Sequence, residues 1–234
     1  VRWFDHHIWD SSWIEALRRA GAEVNVDTST CAAGVVRKYF PVNAEGADDL
    51  VSATCSIDLW IFNDWRGNYL TRYVSLKEGG RWREEVARKL KDFKGTLDDE
   101  VLRAAEEVVD KELKVYTKVV REVGVLNHGG LKIAYYFKRD DEHATSYIGN
   151  LMLSRFNADV AVICRPKSVS LRSRGFNVRE LAKVLGGGGH PRASGAKLSS
   201  PVMLRLLAWL GFRKPLMSWC VKQVVRAIDE LREM

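Results

Sequence analysis

The sequence predicts an α/β protein in which a partial parallel sheet comes first, a helical connector follows and a smaller α/β domain ends the chain. Short apolar runs alternate with amphipathic helical stretches as far as about residue 80. The pattern is purely helical from 81 to 126, and α/β alternation returns after 127. With 234 residues the chain can bury a sizeable core. We therefore expect three segments, 1–80, 81–126 and 127–234.

The first segment opens with a predicted β-α-β unit. Val1–Phe4 is apolar and predicts a buried strand, and a strand at this point predicts further βα units before it. Ser12 is a candidate cap for a helix over Ser11–Ala20, which Gly21 ends. Val24–Val26 then predicts the next strand.

The rest of this segment predicts one helix and one mixed stretch. Asp27–Thr30 supplies cap candidates for a helix that runs through Tyr39 and is closed by Pro41. Leu50–Asp58 begins with helix-like residues, and we interpret Ser56-Ile57-Asp58 as the end of a strand.

The connector is predicted from two apolar stripes at helical spacing. Trp82, Val86, Leu90 and Phe93 form the first, and a longer stripe runs from Leu102 to Val123. Thr96 with Asp99 resembles a capping box at the start of the longer helix. Helices with such apolar faces would also suit a homodimer.

The last segment begins after turn-forming residues, Asn127–Gly130, that break the helical pattern. Apolar and β-branched runs predict strands, and amphipathic runs predict helices. The predicted elements in order are a strand over Leu131–Phe137, a helix over Ser146–Phe156, strands over Ala158–Cys164 and Ser168–Arg172, a helix over Val178–Leu185, a strand over Gly195–Leu198 and helices to the end.

Composition favours an anionic partner and a cytoplasmic protein. The formal net charge is +7 and the pI is about 9.3, which suits nucleic acid or a nucleotide, although a merely basic soluble protein has the same composition. The four cysteines are far apart and form no C-x-x-C pair, so we expect neither a zinc site nor a disulfide framework. No apolar run reaches a membrane span of about 20 residues, and we expect no membrane partner. The single glutamine and 29% charged residues favour a thermophilic source.

Two motifs carry the chemistry. In Gly186–His190, four glycines let the backbone approach a ligand closely and the histidine adds an imidazole that can hydrogen-bond a phosphate; taken alone, this is also the composition of a flexible loop. Asp5-His6-His7 follows the first predicted strand, where open α/β sheets place their active sites. Taken alone, it is equally compatible with a surface turn.

Five motifs in one order resemble the DHH phosphoesterase superfamily with its DHH-associated C-terminal domain. They are Asp5-His6-His7, Thr28–Thr30, Ser56–Asp58, Ser170–Arg174 and Gly186–His190 continuing to Gly195. This family includes RecJ-type single-strand exonucleases, nano-RNases and cyclic dinucleotide phosphodiesterases. The resemblance implies two Mn²⁺ ions, with Mg²⁺ as the alternative, and a single-stranded oligonucleotide or a nucleotide as substrate.

The resemblance also implies roles for residues of the first segment. His6 and Asp58 match metal ligands of the family, and Asp58 resembles the carboxylate that bridges both ions. Asp5 then orients its neighbours, and His7 contacts a nonbridging phosphate oxygen. From the residues alone, Asp58 is also a plausible helix cap or loop acid, and His7 a packing residue.

In the last segment the resemblance implies a substrate-binding surface of Arg172, Arg174, Gly188, Gly189 and His190. Arg172 and Arg174 are two residues apart on a strand and therefore point to the same face, where either can bind a phosphate or remain a solvated charge.

Two tryptophans flank Asp58. Trp60 and Trp65 have the stacking surface that nucleobases need, but we favour core packing for both.

The sequence departs from the family in one respect that bears on activity. The His-x-x-x-Asp-x-Asp element and a separate bridging Asp, which members carry ahead of the Asp-His-His, do not occur in it. At most two metal ligands then remain, too few for two octahedral Mn²⁺ ions. We interpret the acidic runs Asp48-Asp49, Asp98-Asp99 and 140–143 as helix-start or loop residues and not as substitutes.

The expected function is a metal-dependent phosphodiesterase or exonuclease that hydrolyses short oligonucleotides or nucleotides with a metal-activated water. The alternative is a catalytically silent nucleic-acid or nucleotide binding protein of the same family. Family II inorganic pyrophosphatases are disfavoured, because their C-terminal domain lacks the glycine-rich histidine loop.

Overall fold

The computed structural model describes residues 1–41, 43–139 and 145–233, which divide into two units, Val1–Asp110 and Lys111–Met234. The boundary between the units falls inside one long helix, Asp99–Glu122. The mixed α/β class expected from the sequence is confirmed. No helix in the described ranges combines the length and apolar character that a membrane crossing requires.

The first unit begins with the predicted β-α-β element. Strands β1 (Arg2–Asp5) and β2 (Glu23–Val26) pair in parallel, and helix α1 (Ser11–Arg19) connects them. The cap of α1 is Asp10 and not Ser12, because the Asp10 carboxylate accepts the Ser12 N–H at 2.8 Å. The expectation of a buried first strand is wrong, since Trp3 is 46% exposed.

Four helices follow before the long one: α2 (Ala32–Tyr39), α3 (Ala47–Asp58), α4 (Trp65–Val74) and α5 (Gly80–Leu90). Helix α2 is capped by Cys31 without a side-chain hydrogen bond, so Thr28–Thr30 lies in the preceding turn. The sequence did not predict α4. Helix α6 (Asp99–Glu122) confirms the second stripe of the connector.

Asp58 is the last residue of helix α3, so the interpretation of Ser56-Ile57-Asp58 as a strand end is wrong. The helix ends here because Trp60 and Phe62 adopt left-handed backbone, with φ of 57° and 59°. The N–H groups of Ile61 and Phe62 both donate to the Ser56 carbonyl, at 2.9 Å. A closed helix end of this kind has no glycine to mark it in the sequence.

The core of the first unit lies among helices α3 to α6. Its buried members are Ala53, Leu70, Tyr73, Val86, Phe93, Leu97 and Val101. Helices α3 and α4 pack so closely that a Cβ on Gly67 would lie 2.1 Å from the Ala53 carbonyl oxygen. The acidic pairs Asp48-Asp49 and Asp98-Asp99 stand at the starts of α3 and α6, as interpreted from the sequence, whereas 140–143 lie outside the described residues.

A disulfide joins Cys31 to Cys55, with the two Cα atoms 5.1 Å apart. It links the start of α2 to α3, one turn before Asp58. The expectation that the cysteines form no disulfide is therefore wrong, because folding brings together two residues that are 24 positions apart in sequence. Cys164 and Cys220 are free and buried.

The second unit is built on a six-stranded sheet in the order β3-β4-β5-β6-β8-β7. Strands β4 and β5 are parallel and the other pairs are antiparallel. The strands are β3 (Gly124–His128), β4 (Leu131–Phe137), β5 (Val160–Arg165), β6 (Ser168–Ser173), β7 (Gly188–Gly189) and β8 (Ala193–Lys197). Strand β4 has the predicted bounds, but Asn127 and His128 belong to β3 and only Gly129-Gly130 forms the turn.

Helices cover both faces of this sheet. Helix α7 (Thr145–Phe156) packs on one face, while α8 (Val178–Val184) and α10 (Lys214–Glu233) pack on the other. Helix α9 (Val202–Trp209) buries only Ala208. Alternate residues of the middle strands face opposite layers, so Val169 and Leu171 enter the main core. Arg172, on the opposite face of β6, lies against α7.

Candidate functional site

The Asp5 carboxylate organises the turn that follows β1. Its Oδ1 accepts the backbone N–H of His6 at 2.7 Å and that of His7 at 3.0 Å, and it lies 2.7 Å from His7 Nδ1. Its Oδ2 accepts the indole N–H of Trp9 at 2.9 Å. Burial raises the pKa of Asp5, but the hydrogen bonds from His7, Trp9 and His6 outweigh it and leave this pKa well below its usual range. Asp5 is therefore an ionised anchor that fixes the two histidines.

His6 and Asp58 lie side by side although they belong to different elements. His6 Nε2 is 3.4 Å from Asp58 Oδ2, and the His6 side chain is 3% exposed while that of Asp58 is 40% exposed. The His7 ring stacks on that of His6, with centroids 4.3 Å apart and planes at 27°. The structure thus brings together His6, Asp58, Asp5 and His7 of the expected set.

The His6 and Asp58 donor atoms fit a shared divalent cation. Ligands about 2.1 Å from one ion lie roughly 3 Å from each other, which is close to the 3.4 Å observed between these two atoms. A neutral imidazole with a carboxylate also suits Mn²⁺. Two donor atoms are nevertheless fewer than two octahedral ions require, so this pair fits part of one coordination shell and not a complete two-ion site.

The tryptophans beside Asp58 have different environments. Trp60 is 3% exposed and packs edge-to-face on Phe62, as expected of a core residue. Trp65 is 57% exposed, so the preference for core packing is wrong for this residue. It begins helix α4, where its ring packs against Tyr69 with centroids 5.5 Å apart.

In the second unit, the Arg172 guanidinium is held against the sheet without a carboxylate partner among the described residues. Its Nη1 donates to the Leu171 carbonyl at 2.9 Å, and its Nη2 donates to Ser146 Oγ at 3.2 Å. Its Nε is buried and has no hydrogen-bond partner there. Burial, and then the nearby charge of Arg165, lower the pKa of Arg172 to about 10. Nη2 makes one hydrogen bond with the described residues, so this half-buried cation keeps an N–H that can bind an anion.

Arg174 points to the same face of the hairpin as Arg172 and also reaches helix α7. Its Nη2 donates to Asn150 Oδ1 and to Ser154 Oγ, each at 2.6 Å. These helix residues were not predicted from the sequence. The signal was present, because Ser146, Asn150 and Ser154 repeat every four residues on an otherwise apolar helix, which places them on one face.

The four glycines of 186–189 are required for different structural reasons. Gly186 and Gly189 have positive φ, at 75° and 136°. Gly187 lies so close to β8 that a Cβ would meet the Gly195 carbonyl oxygen at 2.1 Å. A Cβ on Gly188 would meet nothing within 4 Å. Backbone conformation and packing thus explain three of the glycines, while at Gly188 there is open space beside the backbone.

His190 starts a tight turn that fixes its main chain. Its N–H donates to the Ala193 carbonyl at 2.9 Å, and the Ala193 N–H donates back at 3.2 Å. Ser194 Oγ also donates to the His190 carbonyl at 2.6 Å. Strand β8 holds this turn next to β6, since Ala193 pairs with Arg172. Arg172, the glycine strand β7 and the His190 turn therefore meet at one end of the sheet.

Part of the chain matches a known domain family, and its fold resembles that of a solved structure. Residues 129–208 match the DHHA1 domain. An exopolyphosphatase-related protein from Bacteroides fragilis shares the fold, with a TM-score of 0.52 and 15% identity; the match covers 94% of this chain and 64% of that one. The chain thus spans less than two thirds of that relative's length. No curated protein matches the sequence at a significant level.

Two further solved structures align at lower similarity. One is the pGpG-specific phosphodiesterase PggH from Vibrio cholerae, with a TM-score of 0.47 and 12% identity; the match covers 82% of this chain and 74% of that one. The other is RecJ with Mn²⁺ from Thermus thermophilus, with a TM-score of 0.43 and 15% identity; the match covers 94% of this chain and 44% of that one. Within the second unit, residues 129–208 are similar to the DHHA1 domain, and over these residues the match agrees with the resemblance found in the sequence.

Proposed function

We propose that the chain acts as a divalent-metal-dependent phosphodiesterase or exonuclease that hydrolyses short oligonucleotides or nucleotides. The observation that carries the proposal is the half-buried guanidinium of Arg172, which has an N–H of Nη2 to spare and no carboxylate partner among the described residues. A partly buried cation without a counter-ion is costly, and a bound phosphate would supply the missing charge. The relatives named as a pGpG phosphodiesterase and as RecJ act in the same chemical class.

In this proposal the DHHA1 domain binds the substrate. Arg172 forms charge-assisted hydrogen bonds to a phosphate, and Arg174 extends the positive surface from its anchor on α7. Gly188 and Gly189 let the phosphate approach the backbone, and His190 donates a hydrogen bond from its ring. The fixed main chain of the 190–193 turn keeps this donor in place without further ordering.

The first unit contributes to the chemistry. His6 and Asp58 would hold a divalent cation, Mn²⁺ or Mg²⁺, which would supply an activated water and polarise a phosphoryl oxygen. Asp5 orients His7 through the contact of 2.7 Å with Nδ1, and His7 stabilises charge on a nonbridging oxygen. Asp5 stays ionised at all ordinary pH values, because the pKa lies far below them.

The second candidate function is a catalytically silent nucleic-acid or nucleotide binding protein. For either function we propose a cytoplasmic location and a homodimer. One observation favours the binding protein: His6 and Asp58 are two donor atoms where a two-ion site needs more. The ordered Asp5 network favours the enzyme, since a binding protein has no need of it.

The test is release of mononucleotide from the dinucleotide pApA with added Mn²⁺. We expect His6→Ala and Asp58→Asn to reduce the rate at least about 100-fold, because each removes a metal ligand. Asp92→Asn is the control, since this exposed acid lies outside the site. No release by the wild type, together with metal-independent binding of pApA, would favour the binding protein.

A further inference from the structure

A second positively charged surface of the DHHA1 unit lies away from Arg172. A groove of about 800 Å³ runs beside helix α9, and we call it the α9 groove. Its walls include the cations Lys167, Arg205 and Arg213 and the apolar residues Pro166, Leu206 and Trp209. None of its described lining residues is a carboxylate.

The groove and the Arg172 site are at opposite ends of the sheet. Lys167 lies in the turn between β5 and β6, where Arg165 pairs with Ser168. Arg172 lies five residues further along, where β6 pairs with the start of β8. At about 3.3 Å per residue the two positions are roughly 16 Å apart. The α9 groove is therefore a separate surface and not an extension of the proposed phosphate site.

Three cations of the groove have no counter-ion among the described residues. Lys167, Arg205 and Arg213 form no ion pair within the described ranges, unlike Arg66 of the first unit, which pairs with Asp64 at 2.7 Å. The sequence around them contains no Asp or Glu between Glu180 and Asp229, while it contains eight Lys and Arg. Such a field attracts a polyanion and opposes contact with a second copy of the same surface.

The groove also offers aromatic faces to solvent. Trp209 is 82% exposed and Phe212, just beyond it, is 65% exposed. Helix α9 buries only Ala208 of its eight residues, so its outer face packs on nothing within the described structure. Exposed aromatic rings beside unpaired cations are the combination that binds single-stranded nucleic acids, since bases stack on the rings and phosphates contact the cations.

We propose that the α9 groove is a second binding site, for single-stranded nucleic acid, in which Trp209 stacks on a base and Lys167, Arg205 and Arg213 contact phosphates. This inference goes beyond the proposed function, because it assigns binding to a surface that takes no part in hydrolysis. It gives longer strands a contact that a dinucleotide bound at Arg172 does not make.

The test is the affinity of the full chain for fluorescein-labelled dT15, measured by anisotropy. Trp209→Ser is expected to weaken binding at least about fivefold, whereas Trp209→Phe keeps a stacking face and stays near the wild type. The double variant Arg205→Glu and Arg213→Glu is expected to reduce the slope of log K against log salt by about 1.4. Trp13→Ser and Arg81→Glu are matched controls, since both residues are exposed in the first unit.

Three outcomes would overturn the proposal. If both groove variants bind dT15 with an affinity within twofold of the wild type, the α9 groove is not a binding site. Self-association of the wild type that Trp209→Ser abolishes, with dT15 affinity unchanged, would assign the groove to a second copy. Trp209-dependent binding to anionic vesicles with no such dependence for dT15 would assign it to lipid. Loss of pApA hydrolysis alone, with Trp209-dependent dT15 binding intact, would overturn the proposed function and leave this site standing.

Discussion

At the scale of single residues, buried charges decide what each unit can do. In the first unit, the Asp64 carboxylate accepts hydrogen bonds from the Arg66 side chain and from Ser52, and it caps helix α4. In the second unit, the half-buried Arg172 has an N–H of Nη2 to spare. The first is a satisfied pair that stabilises the fold, whereas the second is an incomplete arrangement that a ligand would complete.

We expect Asp64→Asn to lower the free energy of unfolding by about 2–4 kcal/mol at neutral pH, because it leaves Arg66 without its buried carboxylate partner while the Asn side chain keeps the helix cap. The hydrogen bonds from Arg66, opposed by burial and aided by Ser52, lower the pKa of Asp64. The stabilisation is thus complete above the unfolded pKa of about 3.9 and is lost as the pH falls through the lower folded pKa.

Urea unfolding of Asp64→Asn and wild type at about pH 7 and about pH 3 measures this dependence. The control is Asp92→Asn, which should match the wild type at both. A difference between Asp64→Asn and wild type that is the same at the two pH values would contradict the assignment.

At the scale of elements, the bounds that could be predicted from the sequence are those that local sequence patterns determine. Strand β4 was placed at its observed bounds because Gly129-Gly130, both with positive φ, separate it from what precedes. Asp58 was placed on a strand because the end of α3 depends on left-handed Trp60 and Phe62, which no propensity favours. The proximity of Asp58 to His6 also depends on tertiary structure and not on local sequence, although the family resemblance pointed to both residues.

The glycine run yields a paired prediction. Gly187→Ala should lower the free energy of unfolding by about 1–3 kcal/mol, since its Cβ would overlap the Gly195 carbonyl. Gly188→Ala has open space and should leave the melting temperature unchanged, but it should raise the Kd for pApA about tenfold if a phosphate approaches there. Thermal melts and calorimetric titration measure both quantities. An unchanged Kd for pApA in Gly188→Ala would show that no phosphate approaches this glycine.

At the scale of the whole molecule, the net charge of +7 is concentrated where the proposals need it. The acid-free stretch between Glu180 and Asp229 includes both the glycine-histidine loop and helix α9. Composition predicted an anionic partner, but it did not predict two separate surfaces for one. That division depends on the antiparallel pairing of β6, which places residues 167 and 172 at opposite ends of the sheet.

The disulfide is a second property of the whole chain that the sequence did not reveal. Cysteine spacing predicted free thiols, and the observed pair removes that argument for a reducing compartment. In denaturant, thiol titration should find two reactive cysteines before reduction and four after it. The Cys31→Ser and Cys55→Ser double variant should lose about 3 kcal/mol of stability, as should the reduced wild type. Four reactive thiols before reduction would contradict the pairing.

The central proposal is that Arg172, which is half-buried and has no carboxylate partner in the described part of the chain, binds a substrate phosphate. The measurement that tests it most directly is the affinity for pApA of Arg172→Met, compared with its free energy of unfolding. We predict that the affinity falls about 10- to 100-fold, because charged hydrogen bonds to phosphate are lost, while the free energy of unfolding stays within about 1 kcal/mol of the wild type. Unchanged affinity, or a loss of stability of about 3 kcal/mol or more, would show instead that the guanidinium serves the fold.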